Sequence, residues 1–248
     1  MSELPEGFQF SKSFEIGSYQ VNPKGLIRLK DLADLFQEVA WKHADSADFG
    51  RILLEKKFMW ALSRLEIKQF QSPVWGQKII LYTGGRGLDK LFAFREFLAV
   101  SESGEVLARG MSSWLLVHTE TKRVQRPAQV LTDRLFSPST LPEWQPPKIK
   151  LPEVKALVST EYEVQASDLD LYYHVNHTSY IRMVEDVLAG QNFAGKDLLI
   201  NYLAECKFKD QIQLSLFRFG NSAVIKGQVT SRIVFLASVI LAVDKQPF

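Results

Sequence analysis

Cysteine is almost absent: Cys206 is the single one in 248 residues. No disulfide can close within the chain, and a reducing compartment, the cytoplasm, is the expected home. A lone buried thiol most often packs, and a catalytic thiol is the sharper alternative. Long apolar runs are missing too. The longest, about Ile233 to Val243, falls short of the ~20 residues that a spanning helix needs and suits a buried strand. Met1-Ser2-Glu3-Leu4-Pro5-Glu6 has no basic segment followed by an apolar stretch, so no secretory signal is expected. Nor does charge of one sign dominate. The 30 basic and 28 acidic side chains leave a net +2 spread along the sequence, unlike the concentrated basic footprint of a nucleic-acid binder. Lys56-Lys57, Lys122-Arg123 with Arg126, and Lys207 with Lys209 read as solvated surface or as a patch for an acidic protein partner. Glycine motifs for nucleotides are lacking: Gly84-Gly85-Arg86-Gly87 has no Lys-Ser/Thr ending, opens no helix and reads as a hairpin turn. No cofactor is expected. The absence of Gly-x-Ser-x-Gly removes support for an α/β-hydrolase serine mechanism.

What is present is enough apolar matter, 46% of residues, to fill one or two cores. Six of the ten prolines fall between Arg126 and Glu153, and proline removes backbone donors and restricts its neighbour. Residues 127–153 are therefore expected to be an extended connector between units 1–126 and 154–248. In the first unit Leu29, Leu32, Ala33, Phe36 and Ala40 recur at helical spacing, predicting a helix from about Leu29 to His43. Strands are expected at Phe58 to Phe70, Gln77 to Tyr82, Leu91 to Ser101 and Val106 to Val117, with Gly84-Gly85 and Ser103-Gly104 as turns. The second unit repeats the order. Tyr180, Met183, Val184, Val187 and Leu188 line a helix that Gly190 stops, and strands follow near Leu198 to Lys207, Ile212 to Arg218, Ala223 to Thr230 and Ile233 to Val243. One long helix followed by an antiparallel sheet, twice over, predicts an α+β fold in which each sheet wraps its own helix.

The two halves are related at an offset of about 148 residues. Phe14-Glu15-Ile16 matches Tyr162-Glu163-Val164, and Leu35 to Glu38 matches Met183 to Asp186. On this alignment Asn22, Lys24 and Leu26 stand opposite Asp170, Tyr172 and His174, so only the second copy carries an acid and an imidazole.

That second copy concentrates polar groups in Ser167-Asp168-Leu169-Asp170-Leu171-Tyr172-Tyr173-His174-Val175-Asn176-His177, directly before the amphipathic helix. A turn at a helix start sits beside unpaired N–H groups and the positive end of the helix dipole. His174 and His177 with Asp168 or Asp170 have the elements of a metal site, but at a spacing unlike that of zinc helices, and no metal is expected. A satisfied structural histidine is the plain alternative for His174.

Asp168-Leu169-Asp170 with His174-Val175-Asn176 and Tyr180-Ile181, followed by Tyr202-Leu203-Ala204-Glu205-Cys206, resembles the acyl-acyl carrier protein thioesterases. The resemblance extends through Trp60-Ala61-Leu62-Ser63-Arg64, Arg95-Glu96-Phe97, Gly104-Glu105, Ser113-Trp114 and Lys122-Arg123-Val124-Gln125-Arg126-Pro127, in the same order and over most of the chain. It implies a tandem hotdog fold, and hydrolysis of fatty acyl thioesters on the phosphopantetheine arm of acyl carrier protein. Carried over by position, Asp170 is the acid, His174 the imidazole, and Glu205 beside Cys206 a later carboxylate on a strand. Tyr172 stands at the family's asparagine, where a phenol cannot reproduce a carboxamide's donor and acceptor, and His177 stands at a second asparagine. On this reading Glu205 or Asp170 activates water, His174 shares the proton, and the backbone N–H groups of Val175 and Asn176 hold the oxyanion. Leu32, Leu35, Phe36 and Val39 with Trp60 and Leu62 are the expected acyl-chain wall in the first unit, with ordinary core as their alternative role. An acyl-CoA thioesterase, a hotdog dehydratase and a noncatalytic acyl-carrier binding module remain open. A fused pair already mimics a dimer, and further association as a homodimer is expected.

Overall fold

The computed structural model describes residues 4–46, 53, 55–130, 142 and 144–242. They divide into two units, one running to Ile27 and then from Leu32 to Pro146, the other combining Arg28–Asp31 with the chain from Pro147 onward. The first unit contains β1 (Phe10–Glu15), most of helix α1 (Leu29–Ser46), β2 (Phe58–Gln69), β3 (Lys78–Asp89), β4 (Phe92–Ser101), β5 (Val106–His118) and β6 (Val124–Gln125). Its sheet is antiparallel in the order β1-β3-β4-β5-β2, with β6 on β5. The second unit contains β7 (Val158–Glu163), helix α2 (His177–Ala189), β8 (Gly195–Tyr202), β9 (Gln211–Phe219), β10 (Ser222–Val229) and β11 (Arg232–Leu241). Its order is β7-β9-β10-β11-β8, again antiparallel. Counted from its own start, each unit has the same strand order. The repeat in sequence is therefore a repeat of topology, and the architecture is the α+β fold that the helix and strand pattern predicts and the tandem hotdog that the resemblance implies.

Each helix owes its place to its apolar stripe. Leu32, Ala33, Phe36 and Val39 of α1 are buried, and the Phe36 ring stacks on Phe97 of β4 with centroids 4.7 Å apart. A side chain at Gly110 of β5 would strike that ring, so glycine permits the approach. On α2 the buried set is Tyr180, Ile181, Met183, Val184, Val187 and Leu188, with Tyr180 5.3 Å from Phe235 of β11. Burying such side chains stabilises by about 2 kcal/mol each.

The structure departs from the sequence reading at four points. Gly84 and Gly85 do not turn the chain: they lie inside β3, and a Cβ at Gly84 would run into the Gly7 carbonyl oxygen. Glycine there serves close backbone approach, and the hairpin comes later, at Lys90 with φ 54°. β1 and β7 were not expected as strands, because FSKSFE and VSTEYE carry the charged, outward-facing character of edge strands. β8 ends at Tyr202, ahead of Glu205, since Leu203 and Ala204 both donate to the Val234 carbonyl and break the ladder. The connector is not uniformly extended: Pro127–Val130 form a helical turn. Trp144 lies under Lys68 and Arg109 in the first unit, whereas Ile149 donates to Asn201 in the second. Pro138 and Val243 lie outside the described residues. Among the described residues no helix is long and apolar enough to cross a membrane.

Candidate active site

β7 leads through a short 3-10 turn, Ala166–Asp168, into a tight loop and then α2, whose N-cap is Asn176. One side-chain oxygen shapes the loop: Asp170 Oδ1 accepts from the backbone N–H groups of Tyr172 (2.8 Å) and His174 (3.2 Å). The Asp170 N–H donates to the His174 carbonyl at 2.8 Å, and Tyr173 takes a left-handed backbone with φ 61°. The first copy builds the same loop without the chemistry. There Asn22 Oδ1 accepts from Lys24 (2.9 Å) and Leu26 (3.1 Å), and Gly25 supplies the positive φ of 74°.

A second segment meets this loop. The Val175 N–H donates to the Cys206 carbonyl at 3.0 Å, which sets the preceding residues side by side. Glu205 Oε2 then lies 3.3 Å from His174 Nε2, the carboxylate 58% exposed and the imidazole 22%. A solvent-reachable acceptor beside a sheltered imidazole can orient water and relay its proton. In the first copy the Ile27 N–H donates to the Pro73 carbonyl at 2.9 Å, so Ser72 and Leu26 occupy the equivalent places.

Some expected roles do not survive the geometry. The Val175 N–H is spent on Cys206, and the Asn176 N–H on the Asp168 carbonyl at 2.7 Å. Neither faces outward as an oxyanion donor, because both close the loop against its neighbours. The Asn176 side chain is occupied in capping Thr178 N at 3.1 Å. Asp170 holds backbone as Asn22 does, so its visible work is structural. Tyr172 is 44% exposed, and its hydroxyl makes no hydrogen bond among the described residues. Cys206 is buried, and burial pushes its thiol pKa up, against a thiolate nucleophile. Of the expected acyl-chain residues, Leu32, Leu35, Phe36 and Val39 are buried within the first unit. Trp60 is partly buried against Leu53 and Leu116, and Leu62 is half-buried.

Sequence reasoning named Asp168 and Tyr162 but missed Arg182 and the contacts that join the three beneath the loop. Asp168, only 2% exposed, pairs with Arg182 Nη2 at 2.6 Å and accepts from the Tyr162 hydroxyl at 2.6 Å. The three lie on a strand, a turn and a helix, so no single element's periodicity announces them.

Comparison with known proteins identifies the family of the chain. The acyl-ACP thioesterase N-terminal domain model matches residues 7–134, and the C-terminal domain model matches residues 152–235. The chain is 25% identical to oleoyl-acyl carrier protein thioesterase 1 of Arabidopsis thaliana over 84% of its own length and 63% of that protein's. It is 27% identical to a palmitoyl-acyl carrier protein thioesterase of Gossypium hirsutum, over 88% of this chain and 57% of that one. It thus spans rather less than two thirds of these curated relatives. Among solved structures, an acyl-ACP thioesterase from Bacteroides thetaiotaomicron superposes with TM-score 0.82 at 22% identity, covering 94% of this chain and 97% of the other. The 12:0-ACP thioesterase of Umbellularia californica gives 0.78 at 20% identity, covering 94% and 96%. These two likenesses establish a shared fold. With family models matched to both halves, the chain belongs to the acyl-ACP thioesterase family.

Proposed function

We propose that the protein hydrolyses fatty acyl thioesters carried on acyl carrier protein, releasing the free acid. The observation that carries this reading is the 3.3 Å approach of Glu205 to His174, present only in the copy that bears both groups. Water held by Glu205 attacks the thioester carbonyl carbon, and its proton passes to the Glu205–His174 pair. The C–S bond then breaks and the thiolate leaves, later taking that proton. A thiol with a pKa near 8.5 needs no strong general acid to depart. Family membership and the names of the curated relatives support acyl carrier protein as the carrier. The lone Cys206 supports a cytoplasmic location.

Chain length is assigned to apolar side chains of the first unit, Leu32, Leu35, Phe36, Val39, Trp60 and Leu62, since each methylene buried contributes about 0.8 kcal/mol. A thiol-release assay tests the activity, run in parallel on acyl-carrier protein and acyl-CoA substrates of matched chain length. The expected result is turnover on both with the higher kcat/KM on the carrier. Release only from CoA would give the acyl-CoA reading, and binding of the carrier without thiol release would make the chain a noncatalytic module.

A further inference from the structure

We propose that Asp168, Arg182 and Tyr162 form a positioning lock that holds His174 at Glu205, an inference that rests on the hydrolase reading for its kinetic test. Asp168 gathers four parts of the second unit. Its Oδ2 accepts from the Tyr162 hydroxyl of β7 (2.6 Å) and from the Gln165 N–H (2.8 Å), and its Oδ1 pairs with Arg182 of α2 (2.6 Å). Arg182 Nη2 also donates to the Tyr162 hydroxyl at 2.7 Å, closing a triangle. The Asp168 carbonyl accepts from the Asn176 N–H (2.7 Å) and from Ser179 Oγ (3.2 Å). Leu169 bridges to Val175, so the neck of the loop is shut on both sides of His174.

Comparison of the two copies separates this lock from the ordinary scaffold. Where the second copy has Asp168, Arg182 and Tyr162, the first has Gln20, Asp34 and Phe14. Gln20 keeps only the neutral bond, its Oε1 accepting from the Gly17 N–H at 2.9 Å. Neither the ion pair nor the phenol can form there. The charged set thus accompanies the imidazole.

The second copy also has something to restrain. Gly25 takes its positive φ without cost, whereas Tyr173 holds φ 61° with a Cβ that disfavours it. The Tyr173 side chain is 79% exposed, so its own packing does not offset the strain. Surrounding structure must over-determine such a residue. The lock supplies that restraint, and without it the loop relaxes and carries His174 away from Glu205.

The test uses the full chain and three variants: Tyr162→Phe, which installs the first copy's residue, Arg182→Gln, and Arg182→Gln combined with Tyr173→Gly. Circular dichroism identifies the folded variants. In thiol release from acyl-carrier protein, the two single variants lose between about tenfold and a hundredfold in kcat with KM little changed, the scale of a small misplacement. Tyr173→Gly restores most of the loss, because glycine holds the loop conformation without restraint. Wild-type kcat in folded Tyr162→Phe and Arg182→Gln, or no recovery in the folded double variant, overturns the proposal.

A second readout needs no turnover. In side-chain NMR of ¹⁵N-labelled histidine, with His174 assigned by its loss in His174→Gln, the wild type gives one sharp His174 ring signal. Arg182→Gln broadens or splits it, and the double variant sharpens it again. A signal unchanged in folded Arg182→Gln removes the lock. A wild-type protein inert toward every thioester removes the hydrolase reading and leaves this measurement to decide.

Discussion

Asp170 and Asn22 do the same work in the two halves of the chain: each side-chain oxygen accepts the N–H groups of the residues two and four positions on. An amide oxygen serves this turn as well as a carboxylate does. Asp170→Asn is therefore expected to fold and melt like the wild type and to keep kcat within about tenfold, whereas Asp170→Ala loses the turn and falls further, by the order of a hundredfold. A collapse of Asp170→Asn to the level of the alanine variant, with melting unchanged, would return the acid to a direct part in proton transfer.

The proposed hydrolysis places proton transfer on Glu205 and His174, which lie 3.3 Å apart. Glu205→Gln and His174→Gln each lower thiol release by roughly a hundredfold or more if both move protons. Steady-state kinetics check this. Melting should change little, since the Glu205 carboxylate is largely exposed and its one close side-chain contact among the described residues is to His174. Near-wild-type turnover in both variants would place the chemistry elsewhere.

The carboxylate of Glu185 accepts from the backbone N–H groups of Leu29 (2.8 Å) and Lys30 (3.1 Å). Burial pushes its pKa up to about 7 against those two bonds. A carboxyl raised in this way holds its proton in the folded state after the unfolded chain has released it. Stability is then highest below the ordinary carboxylate range and falls as pH climbs to about 7. Denaturant unfolding should show a loss of up to about 3 kcal/mol between pH 5 and 7.5, and Glu185→Gln should flatten that slope. A slope of the same size in the variant would assign it to other groups.

His43 gives the opposite slope. It is buried in the first unit, stacked on Phe10 at 5.8 Å, with Nδ1 3.0 Å from Arg95 Nη1. Burial, and next the Arg95 charge, pull its pKa down to about 4. The folded state refuses a proton that the unfolded chain accepts, so stability is lost as pH falls below the ordinary histidine value. Between pH 7 and 4.5 the contribution is up to about 3 kcal/mol. His43→Gln, which keeps an acceptor for Arg95, should reduce the acid sensitivity of the thermal midpoint; an identical profile would clear His43 of it.

The helices and most central strands were legible because their side chains bury at one clear period. The Leu32–Phe36–Val39 stripe and the β-branched residues of β11 state their burial directly. The edge strands β1 and β7 were not, since a strand with one neighbour and a wet face needs little apolar matter. Gly84 misled for a physical reason: glycine marks a turn or a close backbone approach with the same letter, and only the position of Gly7 separates the two. At the site, His174 and Glu205 were named from a family pattern and lie 3.3 Å apart, whereas the N–H groups of Val175 and Asn176, expected to hold an oxyanion, are engaged by other carbonyls. Whether a backbone N–H points outward depends on which carbonyl comes near, and Asp168 and Cys206 supply those carbonyls from elsewhere in the chain. Arg182 escaped notice because its partners, Tyr162 and Asp168, lie on a strand and a turn outside its own helix.

The cross-link from Ile27 to Pro73 matches that from Val175 to Cys206. Each half therefore holds a main-chain frame of the same kind, and the second seats an acid next to an imidazole on it. The chain holds both frames and furnishes one. Because the cross-link that closes each frame is a main-chain hydrogen bond, exchanging the side chains displayed beside it leaves that bond intact.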